Sequence, residues 1–386
     1  MPRLLSLLAL ALLSATALVQ TQQSPAQEPP APETPAQDQP ATQPTTITTR
    51  STLVLVPALV RTKGGSMVYT LPADAFTLTD NGVEQKLYLD EDSGSQPLTM
   101  VVLVETGGEG GQHLDIYRTL PTMLDALLGG VEHKVAVVSF DSETHFVQKF
   151  TTHLDRVDSA LGALEPGDDH AAITDGIVYA ANLLSRQPTE YRRAILLVSE
   201  TIDHGSHVPI GEALRVISDT NTVIYSIAFN STRAASKAEA GKLIQSHTPG
   251  PAGGCMAKDP DDPNITESEF ARAFECLNIL IPPIRLAKIA VLAAVNGFRT
   301  NTPETVAHLT GGEYFKFSNI KSLEKDLNTI TNHIPNRYVL TFHPLSPQPG
   351  IHALQLTLKD YPDLKVTARS SYWIDDDTTP TPEQHP

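Results

Sequence analysis

The chain has 386 residues, with 28 basic and 44 acidic side chains and a net charge of −16 at neutral pH. That length allows two domains or one large domain with additions. So acidic a chain is repelled by phosphate backbones and anionic bilayers, which argues against nucleic-acid binding.

Met1-Pro2-Arg3 followed by the apolar run Leu4–Val19 reads as a secretory leader over residues 1–19, with a small-x-small step at Ala15-Thr16-Ala17. Residues 20–48 read as a disordered linker, because Pro25–Pro44 holds seven prolines and no aliphatic side chain larger than alanine. No later stretch supplies the roughly 20 nearly uncharged residues of a membrane span. The most apolar, Ile279–Val295, contains Pro282, Pro283, Arg285 and Lys288. The expected location is therefore extracytoplasmic, secreted or periplasmic.

Residues 49–95 predict an N-terminal β unit: an apolar strand through Leu53–Val60, interrupted at Pro57, then Phe76–Thr79 and Lys86–Leu89 as a hairpin about Asp80-Asn81-Gly82. From Pro97 the rhythm becomes strand–helix–strand. Leu98–Val104 is a continuous apolar run, as for a strand covered on both faces. A helix over Asp115–Leu128, the strand Val135–Phe140, helices over Leu154–Leu164 and Ile173–Leu184, the strand Ala194–Ser199, a helix at Ile210–Ser218 and the strand Val223–Phe229 follow. The resulting expectation is an α/β fold, a doubly wound and mostly parallel sheet over residues 96–335. Residues 230–300 interrupt it as a helical insertion carrying Cys255 and Cys276, expected to pair in an oxidising compartment. The rhythm resumes with a helix at Pro303–Leu309, a strand at Tyr314–Phe317 and a helix at Leu323–His333. Strands at Tyr338–His343, Ala353–Leu358 and Lys365–Trp373 are expected to pack with the N-terminal β unit, leaving residues 377–386 as a tail.

Several stretches carry a likeness in a specific order. They are Phe76-Thr77-Leu78-Thr79-Asp80-Asn81-Gly82, Val101–Glu105, Ala194–Glu200, Asn301–Glu304 with Thr310–Phe315, and the closing Arg337–Leu340 and Ser370-Ser371-Tyr372. Together they resemble the von Willebrand factor A (vWA) fold, and more closely the bacterial VWFA-related family, over residues 50–375. The resemblance implies a protein–protein interaction module rather than an enzyme, with another envelope or extracellular protein as partner. It also implies a metal-ion-dependent adhesion site built from three loops, where magnesium held by hard oxygens keeps one position open for an acidic partner group.

This chain departs from that pattern at each position. The first loop reads Glu105-Thr106-Gly107-Gly108-Glu109 in place of Asp-x-Ser-x-Ser. The second, Asp168-Asp169-His170-Ala171, has alanine at the expected threonine, and the third, beginning at Glu200, has glutamate at the aspartate. The site is degenerate, and ordinary magnesium-dependent adhesion is not expected. The same loops nevertheless gather Glu105, Glu109, Asp168, Asp169, His170, Glu200, Asp203, His204 and His207 at a topological switch point, where α/β sheets bind ligands. Such a mixture suits manganese or zinc better than magnesium, so a divergent divalent-metal site stands as an alternative. Gly107–Gly111 does not complete a dinucleotide-binding fingerprint, since its third glycine would fall at His113. No G-x-S-x-G, H-E-x-x-H or C-x-x-C pattern is present, and a hydrolase assembled from distant residues is the last alternative.

Overall fold

The computed structural model describes residues 53–90, 96–121, 124, 128, 132–231, 294, 296–334, 336–345 and 348–375. The leader, the linker, the tail, most of the insertion, and with it Cys255 and Cys276, lie outside the described residues.

The centre is a six-stranded sheet of β5 (Leu98–Glu105), β6 (His133–Phe140), β7 (Thr144–Thr151), β8 (Arg192–Ser199), β9 (Val223–Phe229) and β10 (Tyr314–Phe317), ordered β10-β9-β8-β5-β6-β7. All neighbours are parallel except β6 and β7. Taken in chain order, this is the doubly wound arrangement 3-2-1-4-5-6, and its switch point lies between β5 and β8. The sequence of β5 accounts for its central place: all eight residues are buried, so alternate side chains serve two cores. Met100, Val102 and Val104 pack with Tyr117 of α1 (Leu114–Tyr117), Val157 and Leu161 of α2 (Leu154–Gly162), and Leu323, Leu327 and Ile330 of α6 (Ile320–His333). Val101 and Leu103 face α3 (Ile173–Ser185), α4 (Ile210–Asp219) and α5 (Thr302–Thr310) through Ile177, Ala181, Ile217 and Val306. Helix α5 starts at the N-cap Asn301, whose side chain accepts from Glu304 N–H, and stops at Gly311, φ +76°.

Two antiparallel four-stranded sheets flank this domain. One runs β13-β1-β11-β4, from β1 (Val54–Thr62), β4 (Tyr88–Asp90), β11 (Tyr338–Phe342) and β13 (Leu364–Ala368). The other runs β14-β12-β2-β3, from β2 (Phe76–Asp80), β3 (Val83–Gln85), β12 (Gly350–Leu358) and β14 (Ser371–Ile374). Each pairs N-terminal with C-terminal strands: β1 with β11 and β13, and β2 with β12. Their inner faces share one core of Val54, Val56, Leu78, Leu340, Phe342, Leu354 and Tyr372.

Four sequence expectations change. Asn81-Gly82, both with positive φ, do form a two-residue hairpin turn. The returning strand, however, is Val83–Gln85, while Tyr88–Asp90 crosses to pair with β11 in the other sheet. Lys365–Trp373 is two strands, not one, because Arg369 turns inward between them. The helix predicted over Asp115–Leu128 is interrupted by a turn at Arg118-Thr119 and resumes at Leu120-Pro121, a first-turn position that proline tolerates. Strand β7 was not foreseen: it is a half-exposed edge, so it lacks the continuous apolar run that marked its neighbours.

Candidate functional site

The first and third loops follow the C-terminal ends of β5 and β8, the second lies between α2 and α3, and the side chain that joins the first to the third is Glu105. Placed at the last residue of β5 and fully buried, it accepts from Gly110 N–H with Oε1 (3.2 Å) and from Glu200 N–H with Oε2 (2.8 Å). Burial pushes the Glu105 carboxyl well above its ordinary value, and the neighbouring Glu200 acts in the same direction, against the two N–H bonds. Glu200 is buried as well. Its Oε1 meets His204 Nε2 at 2.6 Å, and its Oε2 accepts from Ser231 Oγ–H.

The second loop folds onto the first. Gly108 N–H donates to Asp168 O (2.6 Å), and Gly167 N–H to Thr106 O (2.8 Å). Gly107 lies so close to this loop that a Cβ there would stand 1.9 Å from His170 O and 2.8 Å from Asp141 Cβ. At Gly110 a Cβ would stand 2.5 Å from Glu105 O. The glycine run thus permits backbone-to-backbone approach, more than loop relaxation.

The remaining residues divide into separate fastenings. Exposed Asp168 accepts from Ser142 Oγ–H and from the N–H groups of Ser142 and His170 (3.2 and 2.9 Å), and its Oδ1 lies 3.3 Å from His170 Nδ1. The Ser142 hydroxyl is the main influence holding the Asp168 carboxyl below its usual value. Ala171, buried, makes an antiparallel bridge to His204, 3.0 Å in both directions. Asp203 Oδ2 caps α3 from outside the helix, accepting from Thr174 N–H (2.7 Å), Thr174 Oγ–H (2.5 Å) and Ser206 Oγ–H (2.7 Å). Exposed His207 is tied by its N–H to Asp175. Glu109 precedes the short 3-10 turn Gly110–His113, half-buried, and Asp169 is exposed on the rim. His170 and His204 place their ring centres 6.3 Å apart.

Asp141, Ser142, Thr174, Asp175, Ser206 and Ser231 belong to this network and were not singled out from sequence. For Asp141-Ser142 a signal existed: both follow the apolar run of β6 directly, the counterpart of Glu105 on β5 and of Glu200 after β8.

Magnesium, the ion that the vWA resemblance implies, does not fit these residues. Both Glu105 oxygens are spent on backbone N–H groups, both Glu200 oxygens on His204 and Ser231, Gly107 has no room for a serine, and Ala171 offers no hydroxyl. Among the described residues, no three His, Cys, Asp or Glu side chains are grouped as metal ligands.

No protein-family model and no curated protein sequence matches the chain. Among solved structures, it is similar to BatB from Bacteroides thetaiotaomicron at 11% identity and TM-score 0.35, over 61% of this chain and 99% of that one. It is also similar to an aerotolerance-related membrane protein from Bacteroides fragilis, at 14% identity and TM-score 0.34, over 61% and 98%. For the SpRpn10 VWA domain the values are 13% and 0.29, over 36% and 79%. Among the described residues, no helix is long and apolar enough to cross a membrane.

Proposed function

We propose that this chain is an extracytoplasmic interaction module whose vWA-like rim binds another envelope or extracellular protein without a bridging divalent ion. The observation that carries the reading is that each oxygen of Glu105 and Glu200 is engaged by an internal partner. Adhesion through a metal needs carboxylate oxygens that face outward and an open coordination position. Here Glu105 crosslinks the first and third loops, Glu200 fastens His204 and Ser231, and the rim becomes a preformed protein surface. Its exposed residues Asp168, Asp169, His170 and His207 would then act by direct hydrogen bonding and charge, which suits a basic patch on the partner.

A photo-crosslinking amino acid at Asp169, on the rim, and another at exposed Ser159, on α2, test this in the native extracytoplasmic fraction with and without EDTA. The expected result is one discrete adduct from position 169, equally strong with chelator, and none from position 159. An adduct lost with EDTA and restored by manganese or zinc would replace this reading with the divergent-metal one. No adduct from the rim would end both.

A further inference from the structure

A second feature lies at the opposite end of the same sheet, where the first residues of β5, β8 and β9 meet the flanking sheet. Leu55 and Pro57 of β1 and Val339 of β11 point away from the shared β core toward Leu98 and Val223, enclosing part of a cavity of about 70 Å³. Several water-sized spheres would fit such a space. Its walls are mostly apolar, yet four arginines also line it, Arg192, Arg193, Arg337 and Arg369, of which Arg337 is paired with buried Glu313 at 2.9 Å.

Among the described residues, the other three guanidiniums bond only to neutral acceptors. Arg192 donates to Gln96 O and Ile334 O, and Arg193 to Thr220 O and Gln187 O. Arg369, 5% exposed, donates to Ser371 O, Leu55 O, Asn221 Oδ1, and Ser218 O and Oγ. Among the described residues none of the three has a carboxylate within ion-pair distance, and Asp219 acts on Arg369 from farther away. Burial pulls the Arg369 guanidinium down to about 10 and lowers Arg192 and Arg193 from their usual range. Three cations facing one small apolar space is costly unless something anionic joins them. A separate observation points the same way. Thr222, 3% exposed, lines the cavity with a buried hydroxyl that has no hydrogen-bond partner among the described residues, and neither has the buried Arg193 Nε–H.

We propose that this cavity is a binding site for a small organic carboxylate, with the head group held by Arg192, Arg193 and the Thr222 hydroxyl and a short alkyl body against Leu55, Leu98 and Val339. A planar carboxylate matches the guanidinium fork, whereas inorganic phosphate would leave oxygens facing apolar walls. The site is independent of the C-terminal rim.

Calorimetric titration and thermal melting of the full chain with butyrate, butyramide and inorganic phosphate test it. Butyrate should bind saturably and raise the melting temperature, and butyramide and phosphate should not. Thr222→Val, which removes an unpartnered hydroxyl at nearly constant shape, should melt no lower than the parent and bind butyrate about fivefold more weakly. Ala194→Met, filling the cavity, should abolish binding. If butyrate gives no saturable signal with the folded parent, if phosphate or butyramide matches it, or if Thr222→Val and Ala194→Met bind as the parent does, the proposal fails.

Discussion

Gly107→Ser restores the residue that the vWA resemblance expects, and the structure argues that it breaks the loop rather than rebuilding a metal site. A Cβ would sit 1.9 Å from His170 O and within 3 Å of Asp141 Cα and Cβ, all backbone or backbone-proximal atoms that cannot rotate away. Relief needs the first and second loops to part by roughly 1 Å or more, in a close-packed interior that transmits such strain. That movement would stretch the bonds from Gly108 N–H to Asp168 O and from Gly167 N–H to Thr106 O, worth about 1 kcal/mol each. Overpacking adds about 1–3 kcal/mol, for a total near 3–5 kcal/mol. For a domain of this size that lowers the melting temperature by roughly 6–20 °C. Calorimetric melts of parent and variant, with EDTA and with magnesium, measure it. Gly162→Ser, where a Cβ would meet nothing within 4 Å, is the control and should hold the parent's melting temperature. A Gly107→Ser protein that melts within 2 °C of the parent (about 0.5–1 kcal/mol), or that magnesium stabilises, would refute the reasoning.

Three further outcomes are expected. His352 lies buried with Nδ1 2.8 Å from Asp80 Oδ1 and Nε2 2.7 Å from Gln348 O; burial lowers its pKa, but these partners outweigh it and leave the imidazole above its ordinary 6.5. Its contribution is thus fully present below pH 6.5 and lost as pH rises through the folded value, so the stability gap between parent and His352→Gln in urea titrations should narrow from pH 6 to pH 9; a constant gap would contradict this. Asp203→Ala removes the acceptor of three hydrogen bonds at the start of α3, and a loss of about 2–3 kcal/mol is expected in chemical denaturation, with less than 0.5 kcal/mol (a surface-type effect) counting against the fastening. Arg369→Met takes from Leu55 O and Ser371 O their guanidinium donor and from Ser218 O one of its donors, so a drop of about 2–3 kcal/mol is expected, and a variant as stable as the parent would show that this guanidinium does not join the flanking sheet to α4.

Where burial is two-sided or strictly alternating, the fold was legible. β5 announces itself by an unbroken apolar run, and Asn81-Gly82 by turn chemistry. β7 was not, because Phe146, Gln148 and Phe150 alternate too weakly beside exposed His145, Val147 and Lys149. The division at Arg369 was hidden for a different reason: nothing local says that a guanidinium will be buried, since its acceptors come from β1, α4 and the turn after it. The first and third loops of the candidate site could be located because each follows an apolar strand, and the second because it precedes the apolar helix α3. The direction in which their carboxylates point could not be read, because it depends on which backbone N–H groups another loop leaves open.

That direction changes the meaning of the substitutions. A metal in a vWA-type rim ties three loops together while holding one position open. In this chain the first and third loops are tied by Glu105 reaching the Gly110 and Glu200 N–H groups, and Glu200 reaches His204 and Ser231. Glutamate's extra methylene supplies the reach, and the glycines supply the approach that brings the second loop against the first. A carboxylate accepting buried backbone donors orders a loop as a cation would, without an open coordination position. Acids and histidines at a switch point are therefore not by themselves evidence of a metal centre; their oxygens must be counted against the N–H and O–H groups around them, and here every oxygen of Glu105 and Glu200 already has a protein partner.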